Sequence, residues 1–346
     1  MTTEFHKILI IQSAFIGDVV LTLPLAQALK KLFPTSQIDF VAVPKSVQII
    51  EGHPAITRVY PYDKHGKDSG VAGFLRLRRA IAKEKYNLAL IPHRSLRSAL
   101  LAWGAGIPLR IGFDRSAGKM LLTKIVRYDS NRHEIDRNLS LLQPLGISIP
   151  ADELPHIFLS QDDVAGVDDF LRTQSLESSK IWIALAPGSI WATKRWLPER
   201  YAELSSILSK NYQVFLVGGK EDEELCEFIR AGNPSIINCA GKLSIKQSAE
   251  LIRRCRILVS NDSAPMHLAV GVGTPVVAIF GATVPEFGFT PRGEHDVVVQ
   301  TRGLQCRPCA IHGGNSCPIK SFDCMKQITV EQVMASIESV LVSTQQ

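Results

Sequence analysis

Two periodicities alternate along the chain. Short, nearly continuous apolar runs such as KILII and LALI mark strands buried on both faces. They are separated by longer stretches whose apolar residues recur every three or four positions, the spacing of one helix face. In the first half this pattern predicts strands over 7–13, 38–43, 88–92 and 109–113, with helices over 18–32, 44–51, 71–85 and 95–105. A helix over 162–173 is followed by QSLESSK (174–180), which is polar and aperiodic and reads as a linker. The alternation then restarts, with strands over 181–186, 214–217, 257–260 and 276–280 and helices over 198–210, 222–231, 245–254 and 264–272. A last helix over 329–341 begins at Thr329, a good N-cap. The fold class is therefore α/β, two doubly wound parallel-sheet units in succession. The expected domains are 1–175 and 180–328, with 329–346 as a helical tail able to pack back toward the first.

Composition narrows this picture. At 346 residues the chain exceeds a usual single core. The first apolar run is too short to span a bilayer, and no later run reaches eighteen apolar residues, so a cytoplasmic protein is expected. Residues 1–150 carry a net +10 and the remainder −4, which points the first half toward an anionic partner. No nucleic-acid motif accompanies the basic residues, so nucleic acid is not the expected partner.

In open α/β sheets ligands gather at the carboxyl ends of strands, and the loops there hold the unusual residues. Ser13-Ala14-Phe15-Ile16-Gly17-Asp18 lacks the GxGxxG fingerprint, which argues against a dinucleotide cofactor, and it is not the GxxGxxG loop that a nucleotide-sugar epimerase needs. Asp18 has two compatible roles, helix cap and general base. The loop running from Ala186 through Gly188, Ser189, Lys194 and Arg195 to Pro198 joins a Gly-Ser turn, two cations and a helix start. It reads either as a diphosphate site or as a surface loop over Trp196. Asn261-Asp262-Ser263-Ala264-Pro265-Met266-His267 places four polar groups where a buried strand meets an apolar helix, more than a cap requires. Phe280–Pro285 is expected beside it, and Gly218-Gly219-Lys220-Glu221-Asp222 offers carboxylates for ribose hydroxyls.

Taken in order, IGDVVLTLPLAQALK, HRSLRSALLAWGAGIPLRIGF, RHEIDRNLSLLQPLGI, APGSIWATKRWLPERYAEL, VGGKEDEE, AGKLSIKQSAELIRRCRILVSNDSAPMHLA and GTPVVAIFGATVPEFGF resemble glycosyltransferase family 9 over nearly the whole chain. That family contains the ADP-heptose:lipopolysaccharide heptosyltransferases. The KRWLP loop, SALLAWGAGIPLRIGF and the C-terminal cysteines are more similar to the heptosyltransferase II type than to type I. The resemblance implies a GT-B fold, two Rossmann-like domains facing across a cleft, with the donor on the second and the acceptor on the first. It implies inverting transfer of L-glycero-D-manno-heptose from ADP-heptose to the lipopolysaccharide inner core. The acceptor would be the lipid A–core oligosaccharide, met at the cytoplasmic face of the inner membrane. By position, Asp18 matches the base and Lys194 the cation on the donor phosphates, with Ser189 nearby. Glu221 falls at the ribose position, where Asp222 or Glu223 would fit after a short shift. Asp262, Ser263 and His267 match the diphosphate and sugar loop. Arg94, Arg97 and Lys119 are the acceptor-side cations chosen from the basic first half. No cofactor is expected. Ala264 departs from the family pattern, where Gly is expected, as does Ser321-Phe322-Asp323.

Cys306, Cys309, Cys317 and Cys324 form a C-x2-C-x7-C-x6-C segment. Zinc or iron–sulfur binding is one reading. Only the first pair has tight ligand spacing, so reduced structural thiols without metal are the expectation. A type I enzyme or a family-9 transferase using another sugar nucleotide stands as the alternative. A non-catalytic two-lobed sugar binder would share the architecture, and the lack of an export signal weighs against it.

Overall fold

The computed structural model describes residues 5–64, 66–177 and 179–344; of the expected linker, Ser178 lies outside the described residues. The chain divides into two compact units, Met1–Phe158 and Leu159–Gln346.

The first unit is one six-stranded sheet made of β1 (Lys7–Ile11), β2 (Gln37–Ala42), β3 (Arg58–Pro61), β4 (Leu88–Ile91), β5 (Leu109–Phe113) and β6 (Lys124–Val126). All pairs are parallel, in the order β3-β2-β1-β4-β5-β6. The helices are α1 (Ile16–Val20), α2 (Leu23–Leu32), α3 (Pro44–Ile50), α4 (Val71–Glu84), α5 (Leu96–Gly104) and α6 (Glu134–Ser140). The apolar runs of β1 and β4 are almost wholly buried because helices cover them, and Leu9, Ile11, Ala89 and Ile91 share one core cluster with Leu77, Ile81 and Leu101.

Three features depart from expectation. The helix expected over 18–32 is two helices, because Pro24 has no N–H to bond the Val20 carbonyl and the chain restarts at Thr22. The edge strands β3 and β6 were not expected: RVYP and KIV are exposed on at least one side and carry no continuous apolar run. Helix α6 was not expected either. Its sequence, EIDRNLS, looks like a solvated surface, yet Glu134, Arg137 and Asn138 are buried.

The second unit repeats the topology. Its strands are β7 (Trp182–Ala186), β8 (Gln213–Leu216), β9 (Ile236–Asn238), β10 (Ile257–Asn261), β11 (Val276–Phe280) and β12 (Val297–Gln300), ordered β12-β11-β10-β7-β8-β9. The helices are α7 (Gln161–Arg172), α8 (Pro198–Ser209), α9 (Glu223–Arg230), α10 (Ile245–Arg254), α11 (Ala264–Val272), α12 (Asp323–Lys326) and α13 (Val330–Ser343). The edge strands β9 and β12 were again not expected, since their apolar runs are only two and three residues long.

The unit boundary falls one helix earlier than expected. Helix α7 packs on α10, and Arg254 bridges the two by ion pairs to Asp168 (2.5 Å) and Glu250 (2.7 Å). The last helix, α13, packs on α8 and on strands β10–β12, with Val333, Ile337 and Val340 in the second unit's core. Thr329 caps it, accepting from the Gln332 N–H at 3.3 Å. Among the described residues no helix is long and apolar enough to cross a membrane.

Candidate active site

In each sheet the chain order reverses at one place, between β1 and β4 in the first unit and between β7 and β10 in the second. Loops leaving adjacent strands at such a point diverge and open a crevice at their carboxyl ends. Asp18 follows β1 in the first unit, and Ser189, Lys194, Asp262, Ser263 and His267 follow β7 or β10 in the second.

In the second unit Asn261, the last residue of β10, fixes the crevice. Its Nδ2 donates to the Pro187 carbonyl (2.7 Å), and its Oδ1 accepts from the Trp196 N–H (3.0 Å) and the Tyr201 hydroxyl (3.2 Å). The loop after β7 is thereby pinned to the loop after β10. Ser263 Oγ adds a bond to the Gly188 carbonyl (3.2 Å). Lys194 Nζ then lies 2.6 Å from Asp262 Oδ2, which also accepts from the Thr283 hydroxyl at 2.7 Å. His267, in the first turn of α11, is buried, and its Nδ1 has no hydrogen-bond partner among the described residues. Burial, with the Lys194 charge working against Asp262, holds its pKa down at about 4, so the imidazole is neutral at pH 7. Lys194, Asp262, Thr283 and His267 thus form one cluster. Ser189 is half-buried at the turn, and its carbonyl accepts from Arg195 Nε at 2.7 Å.

Of the three ribose candidates, Asp222 faces the loop. It accepts from the Gly219 N–H (3.0 Å), and a Cβ on Gly188 would overlap its carboxylate. Burial raises its pKa. Glu221 and Glu223 are exposed. Ala264 opens α11 with ordinary helical backbone, so this position does not require glycine.

The C-terminal segment braces the same loops. Thr193 and Gly314 exchange two hydrogen bonds, N–H to carbonyl (3.0 Å) and N–H to Oγ1 (2.8 Å). Arg307 Nη2 donates to the Thr283 carbonyl (2.6 Å), and the Cys309 N–H donates to the Ala282 carbonyl (3.0 Å). The four thiols are free, and among the described residues no group of three or more His, Cys, Asp or Glu is placed to hold a metal. Burial pushes the Cys324 thiol up to about 11. At Cys317 burial acts in the same direction, but the N–H groups of Phe322, Ile319, Lys320 and Ser321 outweigh it and hold the thiol below its usual range.

In the first unit, Asp18 Oδ2 accepts from the Phe15 N–H at 3.2 Å, so the carboxylate does cap α1. Around it stand groups that sequence reasoning did not single out. His93 Nδ1 lies 3.0 Å from both Ser13 Oγ and Ser98 Oγ, and Lys64 Nζ donates to the Ser13 carbonyl at 2.6 Å. Burial, then the Lys64 and Arg94 charges, lowers His93 to about 4. Burial, then Arg97, lowers Lys64, while Asp18 opposes them. Lys64 therefore senses both Asp18 and Arg97. Arg94 stacks on the Tyr128 ring (4.3 Å), and Arg97 Nη2 donates to the Ser69 carbonyl (3.2 Å). Lys119 is exposed on a single 3-10 turn that packs on α5. A polar cavity of about 330 Å³ in this unit is lined by Arg127, Arg132 and Arg137 with Asp129, Asn131, Ser140 and Gln143, a second basic surface that the sequence reading missed. A larger depression of about 450 Å³ lies by Trp182 and Arg256, at the amino ends of β7 and β10, the wrong end for a ligand site.

Residues 74–316 match the family model for glycosyltransferase family 9 (heptosyltransferase). The chain is 32% identical over 304 residues to the lipooligosaccharide heptosyltransferase 2 of Haemophilus ducreyi, covering 81% of this chain and 85% of that protein. It is 29% identical over 301 residues to the lipopolysaccharide heptosyltransferase 2 of Salmonella typhimurium, covering 84% and 86%. Among solved structures, the ADP-heptose lipopolysaccharide heptosyltransferase II of E. coli superposes with a TM-score of 0.80 at 25% identity, over 98% of this chain and all of that one. Two six-stranded parallel sheets with alternating helices are the architecture of that GT-B enzyme. The chain belongs to glycosyltransferase family 9, the heptosyltransferase family.

Proposed function

We propose that this protein transfers a heptose from ADP-heptose to the lipopolysaccharide inner core, as a heptosyltransferase of the second type. The observation that carries the donor side is the cluster of Lys194, Asp262, Thr283 and His267 at the switch point of the second sheet. The ammonium offsets diphosphate charge as ADP leaves. The Asp262 carboxylate is an acceptor only, so it suits sugar hydroxyls and not phosphate oxygens. Neutral His267 supplies a donor or acceptor without adding charge. Asp222 is the carboxylate best placed for ribose hydroxyls.

On the acceptor side Asp18 takes the proton of the attacking hydroxyl. The new bond forms from that oxygen to the anomeric carbon as the bond to the β-phosphate oxygen breaks, with inversion. Arg94, Arg97 and Lys64, with the arginine-lined cavity, suit an acceptor bearing carboxylates and phosphates. This reading places the enzyme in the cytoplasm, meeting the lipid A–core at the inner-membrane surface. The heptosyltransferase 2 names of the relatives support the sugar and the acceptor class.

The test is ligand-induced stabilisation followed by product analysis. A ligand at 100 times its Kd adds about 2.7 kcal/mol, so ADP-heptose and ADP should raise the thermal midpoint while UDP-sugars should not. With a heptose-deficient inner-core acceptor, mass spectrometry should show one added heptose. Stabilisation by UDP-sugars alone, or no heptose addition, would overturn the reading.

A further inference from the structure

Helix α6 carries a carboxyl group that the proposed chemistry leaves unused. Glu134 is 7% exposed, and two side chains contact its carboxylate. Arg137 Nε lies 2.8 Å from Glu134 Oε2, and the Tyr128 hydroxyl donates to the same oxygen at 3.3 Å. The guanidinium groups of Arg94 and Arg137 lie over the Tyr128 ring, 4.3 and 4.8 Å from its centroid.

The helix is also tied to the one bearing Asp18. One turn beyond Glu134, Asn138 Nδ2 donates to the Leu21 carbonyl (3.0 Å) and to Thr22 Oγ1 (3.3 Å). Thr22 Oγ1 in turn donates to the Asp18 carbonyl at 2.7 Å. The buried acid and the proposed base therefore stand one turn to either side of the same contact. We propose that Glu134 is a positioning residue for Asp18: through Arg137 and Tyr128 it anchors α6, which Asn138 ties to the helix that bears the base, and it adds its charge to those that Asp18 faces.

This inference rests on the assignment of Asp18 as base and deepens it. The charged groups that face Glu134 are Arg137 on its own helix, Asp18 on α1 and Arg94 after β4, with the Tyr128 phenol after β6. Burial dominates and Asp18 adds to it, raising Glu134 to about 7 against the pull of Arg137 and Arg94. Below that pH Glu134 is neutral. Above it a second negative charge appears beside Asp18 and, because the interaction is mutual, makes Asp18 the stronger base. Two acids in one site with separated proton affinities are a common arrangement for acid–base work.

The pH dependence of turnover tests this. Wild-type kcat should gain a step centred near pH 7. Glu134→Gln should lose that step and run roughly three- to tenfold slower at pH 8, as expected when a base loses about one unit of basicity, with KM for the donor unchanged. Glu134→Asp should restore part of the step. A Glu134→Gln profile superimposable on wild type would overturn the inference. A second measurement does not depend on that variant folding. In protein labelled at the glutamate side-chain carboxyl carbons, one signal should titrate near pH 7, and its midpoint should fall in Asp18→Asn. No such signal, or a midpoint unmoved in Asp18→Asn, overturns the inference as well. Asp18→Asn turnover separates the two readings: normal activity there removes the base assignment, whereas an inactive Asp18→Asn beside an unchanged Glu134→Gln profile removes only the role of Glu134.

Discussion

Lys194 and Asp262 form a 2.6 Å ion pair with side chains only 13% and 6% exposed, and the pair stands where the proposed reading puts the donor diphosphate. A buried pair of this kind holds each partner in place before ligand arrives. In that reading the diphosphate would share the ammonium with Asp262, which keeps Lys194 oriented beforehand. The carboxylate is itself held by the Thr283 hydroxyl, so it does not swing toward the incoming anion.

The pair predicts opposite outcomes for its two members. Lys194→Ala should weaken ADP by on the order of 1.5–3 kcal/mol, the range of a lost charge-assisted contact. Asp262→Asn frees the ammonium, so ADP affinity should hold or rise while the extra affinity for ADP-heptose over ADP falls. Calorimetry with both ligands decides it; unchanged ADP binding in Lys194→Ala would reject the phosphate assignment.

Asp18 makes its capping bond and is proposed as base, and the two roles separate by magnitude. Loss of a cap costs about 1 kcal/mol of stability. Loss of a general base costs about 10²–10⁴ in rate. Asp18→Asn should lose at least a hundredfold in kcat with ADP-heptose affinity nearly unchanged. Near-normal turnover in a merely less stable protein would leave only the cap.

The architecture was legible because it depends on runs of apolar residues. Central strands such as KILII and VVAIF are buried on both faces and announce themselves, whereas the edge strands are short or half-exposed: RVYP and KIV carry no continuous apolar run, and those of IIN and VVVQ are only two and three residues long. Pro24 was visible: seventh in a helix over 18–32 it interrupts the hydrogen-bond ladder, whereas in the first turn of α2 it is tolerated, and the structure has that restart. Lys194, Asp262 and His267 were singled out because they stand next to strand ends, and the structure brings them together. Thr283 and Asn261 sat in quoted loops without a role, since a hydroxyl or amide gains meaning only from its partner. Glu134 was hidden most completely. A charged heptad such as EIDRNLS looks solvated, and only its burial against Tyr128 shows otherwise.

Two histidines, His267 buried and His93 half-buried, give a pH dependence of definite sign. His267 and His93 both titrate near 4 in the folded chain, against 6.5 for the ordinary side chain. As pH falls the unfolded chain takes up these protons first. Their contribution is therefore intact above about 6.5 and is lost as pH drops toward 4. For His267, wholly enclosed, the loss is on the order of 3 kcal/mol. Denaturation midpoints between pH 7 and 4 should fall steeply in wild type and less steeply in His267→Gln, which has no proton to gain. Parallel curves would show that His267 takes up its proton as readily in the folded chain as in the unfolded one.

The bracing segment yields the last prediction. Arg307 reaches the Thr283 carbonyl, and Thr283 holds the Asp262 carboxylate; Gly314 holds the turn that ends in Lys194. Removing the Arg307 guanidinium leaves that carbonyl without its donor and loosens both members of the ion pair. Arg307→Ala should thus weaken ADP and ADP-heptose together, about tenfold for a lost charged hydrogen bond, although it lies outside the donor loops. The thiols on either side are expected to act through packing. Only Cys306 and Cys309 have the spacing that pre-sets a ligand pair, and a four-thiolate site needs two. Cys306→Ser and Cys309→Ser should leave ADP affinity within a few-fold, and protein prepared without chelator should contain well under one metal per chain. A stoichiometric metal, with ADP affinity lost on its removal, would show instead that a thiolate site sets the brace and through it the position of Lys194.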